Sequence, residues 1–167
     1  MISLTRAALL ALAPAAALVS LLLAATVQPA LALINESPSL PRGLYLRDLK
    51  GEPVTGAIVA IDQPASVRPY LARLGMPAKV RLIKRVAASA GDLVCSDGRR
   101  LRTPDRTVAV PDHDRSGVAL PVWRGCRPLG ADERLLLGDT PNSLDSRYFG
   151  PVSVARIEGV YRETLTW

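Results

Sequence analysis

Ala7 to Val27 is an uncharged run in which only Ser20 and Thr26 interrupt the apolar character. No other segment restricts the fold of the chain so strongly. Twenty-one residues at helical rise cover the hydrocarbon core of a bilayer. The run therefore predicts one N-terminal transmembrane helix over residues 7–27, preceded by a short segment, residues 1–6. Pro14 does not oppose this, because lipid-embedded helices tolerate proline. Arg6 is the only charge ahead of the run, which orients the N-terminus to the cytoplasm and the remainder outside it. Ala30-Leu31-Ala32 offers a competing reading, since small-x-small is the pattern of a signal-peptide cleavage site. The run exceeds a usual signal h-region, which favours a retained anchor.

Residues 35–167 read as one mainly-β domain. Fourteen prolines and twelve glycines punctuate the chain and argue against a helical bundle. Strands are expected at Gly43–Arg47, Gly56–Ile61, Val80–Ala87, Arg134–Gly138, Pro151–Ile157 and Gly159–Arg162. Pro64–Leu74 predicts a short helix, with Val67, Tyr70, Leu71 and Leu74 at three- and four-residue spacings. Residues 95–130 look like hairpins and loops around the short apolar stretches Thr107–Val110 and Val118–Leu120. Aromatics are few, so the core must be built from Leu, Val, Ile and Ala.

The net charge of +6 does not imply a nucleic-acid partner. The basic residues are scattered among acids, with no run and no aromatic platform. They suit a solvated surface with some affinity for anionic lipid headgroups. Cys95 and Cys126 are the only cysteines. Outside the cytoplasm an even count permits one disulfide; two buried thiols are the alternative. Their separation has no metal-ligand spacing, and the single His113, in Pro111-Asp112-His113-Asp114, reads as a solvated loop residue. Neither a metal nor a cofactor is expected.

Lys84 is one of only three lysines among 21 basic residues, and it lies within the apolar strand Leu82-Ile83-Lys84-Arg85-Val86. By the period of two, Leu82 and Val86 share its face. Apolar surroundings disfavour an ammonium and lower its pKa, so this lysine is placed to act as a base. A serine hydroxyl is a poor nucleophile until a base takes its proton. Ser39 lies in a polar, proline-containing segment upstream, and a second such segment, Gly138–Arg147, lies downstream. Singly these have plainer readings: Ser37 and Ser39 as turn residues, Lys84 as a strand-edge cation, Asp145 and Arg147 as a surface pair.

Taken in order, three segments resemble the signal peptidase I family of serine/lysine endopeptidases (S26), and within it the conjugative-transfer, TraF-type branch. They are Ser39-Leu40-Pro41-Arg42-Gly43-Leu44-Tyr45, Ile83-Lys84-Arg85-Val86 with Ala90-Gly91-Asp92, and Leu137-Gly138-Asp139 through Asp145-Ser146-Arg147-Tyr148-Phe149-Gly150. The resemblance implies a signal-peptidase-like β domain with Ser39 as nucleophile and Lys84 as general base. It implies that Ser143 holds the lysine amine, and that Asp145 and Arg147 form a supporting ion pair. Ser37 matches the serine that lends its hydroxyl to the oxyanion hole, beside the Ser39 amide. General signal peptidases place methionine after the nucleophile and proline three residues on. Here Leu40 follows and Pro41 comes two residues on, which favours the conjugative branch.

The implied substrate is a precursor protein with small residues on the acyl side of the cut, a pilin in the conjugative branch. The implied location is a bacterial inner membrane with the domain on its periplasmic side. Membrane lipid and conjugation-channel proteins are the other expected partners. The alternatives are a general signal peptidase and a non-enzymatic anchored assembly factor of a secretion or conjugation channel.

Overall fold

The computed structural model describes residues 29–167. The anchor expected over residues 7–27 lies outside the described residues. Among those described, no helix is long and apolar enough to cross a membrane.

Residues from Leu31 onward form one compact unit. Its main sheet has seven strands, with spatial order β1-β2-β11-β3-β4-β9-β10 and every pairing antiparallel. The strands are β1 (Ala32–Asn35), β2 (Gly43–Asp48), β3 (Ile58–Ile61), β4 (Leu82–Ala88), β9 (Glu133–Leu137), β10 (Val152–Ser153) and β11 (Ile157–Thr166). A second antiparallel sheet of four strands follows the order β7-β6-β5-β8. It is built from β5 (Leu93–Ser96), β6 (Arg100–Arg102), β7 (Thr107–Ala109) and β8 (Gly125–Pro128).

Burial on both faces explains why β3 is an unbroken apolar run. Val59 and Ile61 belong to the larger core cluster, while Ile58 and Ala60 belong to a smaller one with Leu40, Tyr45, Ile83 and Tyr161. The neighbouring β4 divides in the same way. Leu82, Val86 and Ala88 face the larger cluster, and Ile83 the smaller. Alternation puts Lys84 on the side of Leu82 and Val86, paired in register with Val59. Val94, Leu101, Val110 and Leu129 join the larger cluster, so the second sheet closes over the same core.

The strands expected at Gly43–Arg47, Gly56–Ile61, Val80–Ala87 and Arg134–Gly138 form within two residues, with four departures elsewhere. Pro151–Ile157 is strand only at Val152–Ser153, because Val154–Arg156 turn as a short 3-10 helix capped by the Ser153 hydroxyl, and the strand expected at Gly159–Arg162 runs from Ile157 to Thr166. β1 was not expected, because Ala-Leu-Ile-Asn shows no alternation of its own; it exists as the partner of β2, from Ala32↔Leu46 to Asn35↔Gly43. The short helix α1 covers only Arg68–Arg73. Leu74 sits at its C-cap, largely exposed, and Gly75 turns the chain with φ +74°, so the expected apolar face is cut short. The stretch at Val118–Leu120 forms only an isolated bridge, His113↔Ala119.

Cys95 and Cys126 sit opposite each other on β5 and β8 and form a disulfide. This decides between the two readings that the sequence left open. The bond closes a loop of 31 residues, and the unfolded chain loses freedom accordingly. Replacing both cysteines by serine is expected to lower unfolding free energy by about 3–4 kcal/mol, read by urea titration. Alkylation of the unreduced, denatured protein should label no thiol; two labelled thiols would contradict the bond.

Candidate active site

Residues 36–42 join β1 to β2, and the pair Asn35↔Gly43 closes their mouth. Ser39 lies in this loop and is 6 % exposed. Gly43 is required where the loop enters β2, because a Cβ there would run into the backbone of Leu165 on β11. Tyr45, fully buried on β2, donates its hydroxyl hydrogen to the Pro41 carbonyl at 2.6 Å and ties down the far side of the loop.

Lys84 reaches this loop from β4. Its Nζ lies 3.0 Å from Ser39 Oγ and 2.8 Å from the Ile83 carbonyl, and the residue is 4 % exposed. Two residues separated by 45 positions are thus brought to hydrogen-bond distance inside the protein. Burial pushes the Lys84 pKa down from 10.5 to about 8; Asp145 opposes the shift and Arg147 adds to it. About a tenth of the molecules then carry a neutral amine at pH 7.

The loop after β9 forms the adjoining wall. It leads into the short helix α2 (Ser146–Phe149), capped by Asp145. Asp145 and Arg147 pair in two parallel bonds, Nε to Oδ1 at 2.8 Å and Nη2 to Oδ2 at 2.7 Å, and both are buried. Arg147 also donates to the carbonyls of Thr140 and Pro141, and Asp145 accepts from the Gly138 amide. Three residues of the loop, Gly138, Thr140 and Pro141, are therefore hydrogen-bonded to one internal ion pair. The surface-pair reading fails here. Removing one partner strands a charge in low dielectric, which typically costs about 3–5 kcal/mol. The loop in turn meets the nucleophile, since the Asp139 amide donates to the Ser39 carbonyl at 2.6 Å.

Ser143 departs from its expected role. Among the described residues its hydroxyl is buried without a hydrogen-bond partner, and the Lys84 amine bonds to the Ile83 carbonyl and Ser39 instead. The Ser143 side chain occupies the space over Gly138, where any Cβ would collide with its Oγ. Ser37 does approach the nucleophile, with its Oγ 2.8 Å from Ser39 Oγ. The Ser39 amide makes no hydrogen bond among the described residues.

Sequence reasoning missed Asn35 as part of this site, and it placed Gly138 and Asp139 in the matching segment without assigning either a role. Asn35 is 5 % exposed and bonds to the nucleophile loop at five points. Its signal was present, because asparagine favours bonds to backbone two residues on. Beside the loop opens a cavity of about 790 Å³, a volume usual for ligand sites. Its lining includes Pro38, Tyr70, His113, Leu120, Leu144 and Tyr148, and so reaches the neighbours of both Ser39 and Ser143.

The family model "Signal peptidase, peptidase S26" matches residues 5–167. A plasmid transfer protein TraF from Escherichia coli is 35 % identical, with 89 % of this chain and 90 % of that one covered. A conjugal transfer protein TraF from Agrobacterium tumefaciens is 36 % identical, with 97 % of each covered. Among solved structures, a signal peptidase I from Enterococcus faecalis aligns with a TM-score of 0.39 at 22 % identity, over 66 % of this chain and 97 % of that one.

The folded pKa of Lys84 lies below the unfolded value, so the unfolded chain holds this proton more tightly. The cost of burying the ammonium is present in full below about pH 8 and fades as pH rises toward 10.5. Relative to wild type, Lys84→Met should therefore lose about 3 kcal/mol of advantage between those limits. Urea unfolding of both proteins across this range measures the difference; a constant gap would contradict the shifted lysine.

Proposed function

The chain belongs to the signal peptidase family, peptidase S26, and we propose that it is a serine endopeptidase that cleaves a pilin or other secreted precursor in conjugative transfer. One observation carries this reading: a buried amine with a depressed pKa lies 3.0 Å from a buried serine hydroxyl. The likeness to the plasmid and conjugal transfer proteins supports the conjugative setting. The Cys95–Cys126 disulfide supports a domain that works outside the cytoplasm, on the periplasmic side of the inner membrane.

In the proposed reaction, neutral Lys84 removes the Ser39 proton as Oγ attacks the scissile carbonyl. Charge develops on the carbonyl oxygen, where the Ser39 amide serves as donor; the Ser37 hydroxyl, matched by the resemblance to that role, gives its proton to Asn35 Oδ1 instead. As the tetrahedral intermediate collapses, the Lys84 ammonium passes its proton to the leaving amine, and an ester remains on Ser39. The lysine, neutral again, takes a proton from an incoming water or a second amine as it attacks the ester, and passes that proton to Ser39 Oγ as the Oγ–acyl bond breaks, which restores both the hydroxyl and the neutral amine. Water gives hydrolysis; an amine from the same chain gives a cyclic product. The cavity beside Pro38 and Leu144 accommodates precursor residues that flank the cut.

Membranes carrying the wild-type protein should process the precursor, and Ser39→Ala or Lys84→Ala should abolish processing. Retained cleavage by either variant would refute the dyad. Because the neutral amine is the active form, kcat/KM should rise about tenfold per pH unit on the acidic side and level off above about pH 8. A rate independent of pH from 6 to 9 would exclude Lys84 as the titrating base.

A further inference from the structure

Asn35 closes β1, immediately before the nucleophile loop. Its Nδ2 donates to the carbonyls of Ser37, Leu40 and Pro41, each at 3.0 Å. This fixes the amide orientation, because the flipped form would set its oxygen against three carbonyl oxygens. Oδ1 therefore faces Ser37, 3.2 Å from its amide and 3.0 Å from its hydroxyl.

An amide oxygen can only accept, so Ser37 Oγ is the donor in that bond. A hydroxyl has one proton. In the 2.8 Å contact between the two serines, Ser37 is then the acceptor and Ser39 the donor. Lys84, when charged, donates to Ser39. The proton order thus runs in one direction, from Lys84 to Ser39 to Ser37 to Asn35.

We propose that Asn35 is a positioning residue of the dyad: by holding the Ser37 proton, it stops that hydroxyl from donating to the attacking oxygen. A serine Oγ that accepts a hydrogen bond has a lone pair engaged and is a weaker nucleophile. Loss of the lysine proton then lets the Ser39 hydrogen swing from Ser37 to Nζ, and no neighbour competes for the oxygen. The inference rests on the dyad reading above. It adds a residue that touches neither substrate nor the reacting atoms and acts through Ser37.

Other groups about the lysine stay constant in the test. Asp145 and Arg147 reach it from the loop after β9. Alongside the nucleophile loop lie the Tyr45 hydroxyl on Pro41 and the Arg85–Asp139 pair.

The experiment is a double-mutant cycle on precursor cleavage with Asn35→Leu, Ser37→Ala and the combined variant, with Ser39→Ala as the blank. Asn35→Leu should lower kcat about 10- to 100-fold with KM little changed, the usual scale for a supporting partner. In the Ser37→Ala background the same change should lower kcat far less, because the hydroxyl to be aimed is gone. An equal loss in both backgrounds would show that Asn35 only shapes the loop, and would overturn the proposal.

If Asn35→Leu does not fold, Asn35→Asp reads the same chain. A carboxylate two hydroxyls from Lys84 favours its charged form, so the acidic limb of the pH profile should move upward from about 8. An unmoved limb would overturn the proposal. Cleavage by Ser39→Ala would instead bring down the dyad reading itself, and this inference with it.

Discussion

A lysine ammonium kept out of water is the constraint around which this domain is organised. Its burial between β3, β4 and the nucleophile loop lowers its hold on a proton, and that alone makes it useful as a base. The arrangement needs a wall that excludes water without supplying a strong counter-charge. The Asp145–Arg147 pair meets both needs. Its two charges are matched to each other, so they hold the wall in place while their fields at Lys84 largely oppose one another. An unpaired aspartate in the same place would hold the lysine charged and idle.

The same pair links chemistry to folding. Gly138, Thr140 and Pro141 all bond to Asp145 or Arg147, and Asp139 bonds to the Ser39 carbonyl. The nucleophile loop and the wall that covers its base are therefore held by a shared set of bonds. The small residues here are fixed by packing. A side chain at Gly138 would strike Ser143, and one at Gly43 would strike β11. Such positions constrain the fold as firmly as the apolar core does.

Much of this was legible in the sequence. The apolar runs of β3 and β4 announce buried strands, and the period of two puts Lys84 on the face of Leu82 and Val86. The order of serine, lysine and the Gly-Asp segment pointed to Ser39 as its partner. What the sequence hid were interactions that depend on orientation. Ser143 packs over Gly138 with its hydroxyl unpartnered among the described residues, and no spacing encodes that. β1 was hidden because its residues follow no pattern and become a strand only through β2. Asn35 was visible as a turn-former, yet its bonds to five atoms depend on how residues 36–42 close.

The hairpin that carries Ser39 also has a mechanical character. β1 is an edge strand, and it grips β2 through four residue pairs, from Ala32↔Leu46 at the open end to Asn35↔Gly43 at the closed end. A load entering the domain through Leu31 would meet these pairs singly, like teeth of a zip. The pair beside the nucleophile loop would be the last to part. Tugging on the chain ahead of the domain is thus spent on outer rungs while the serine keeps its place.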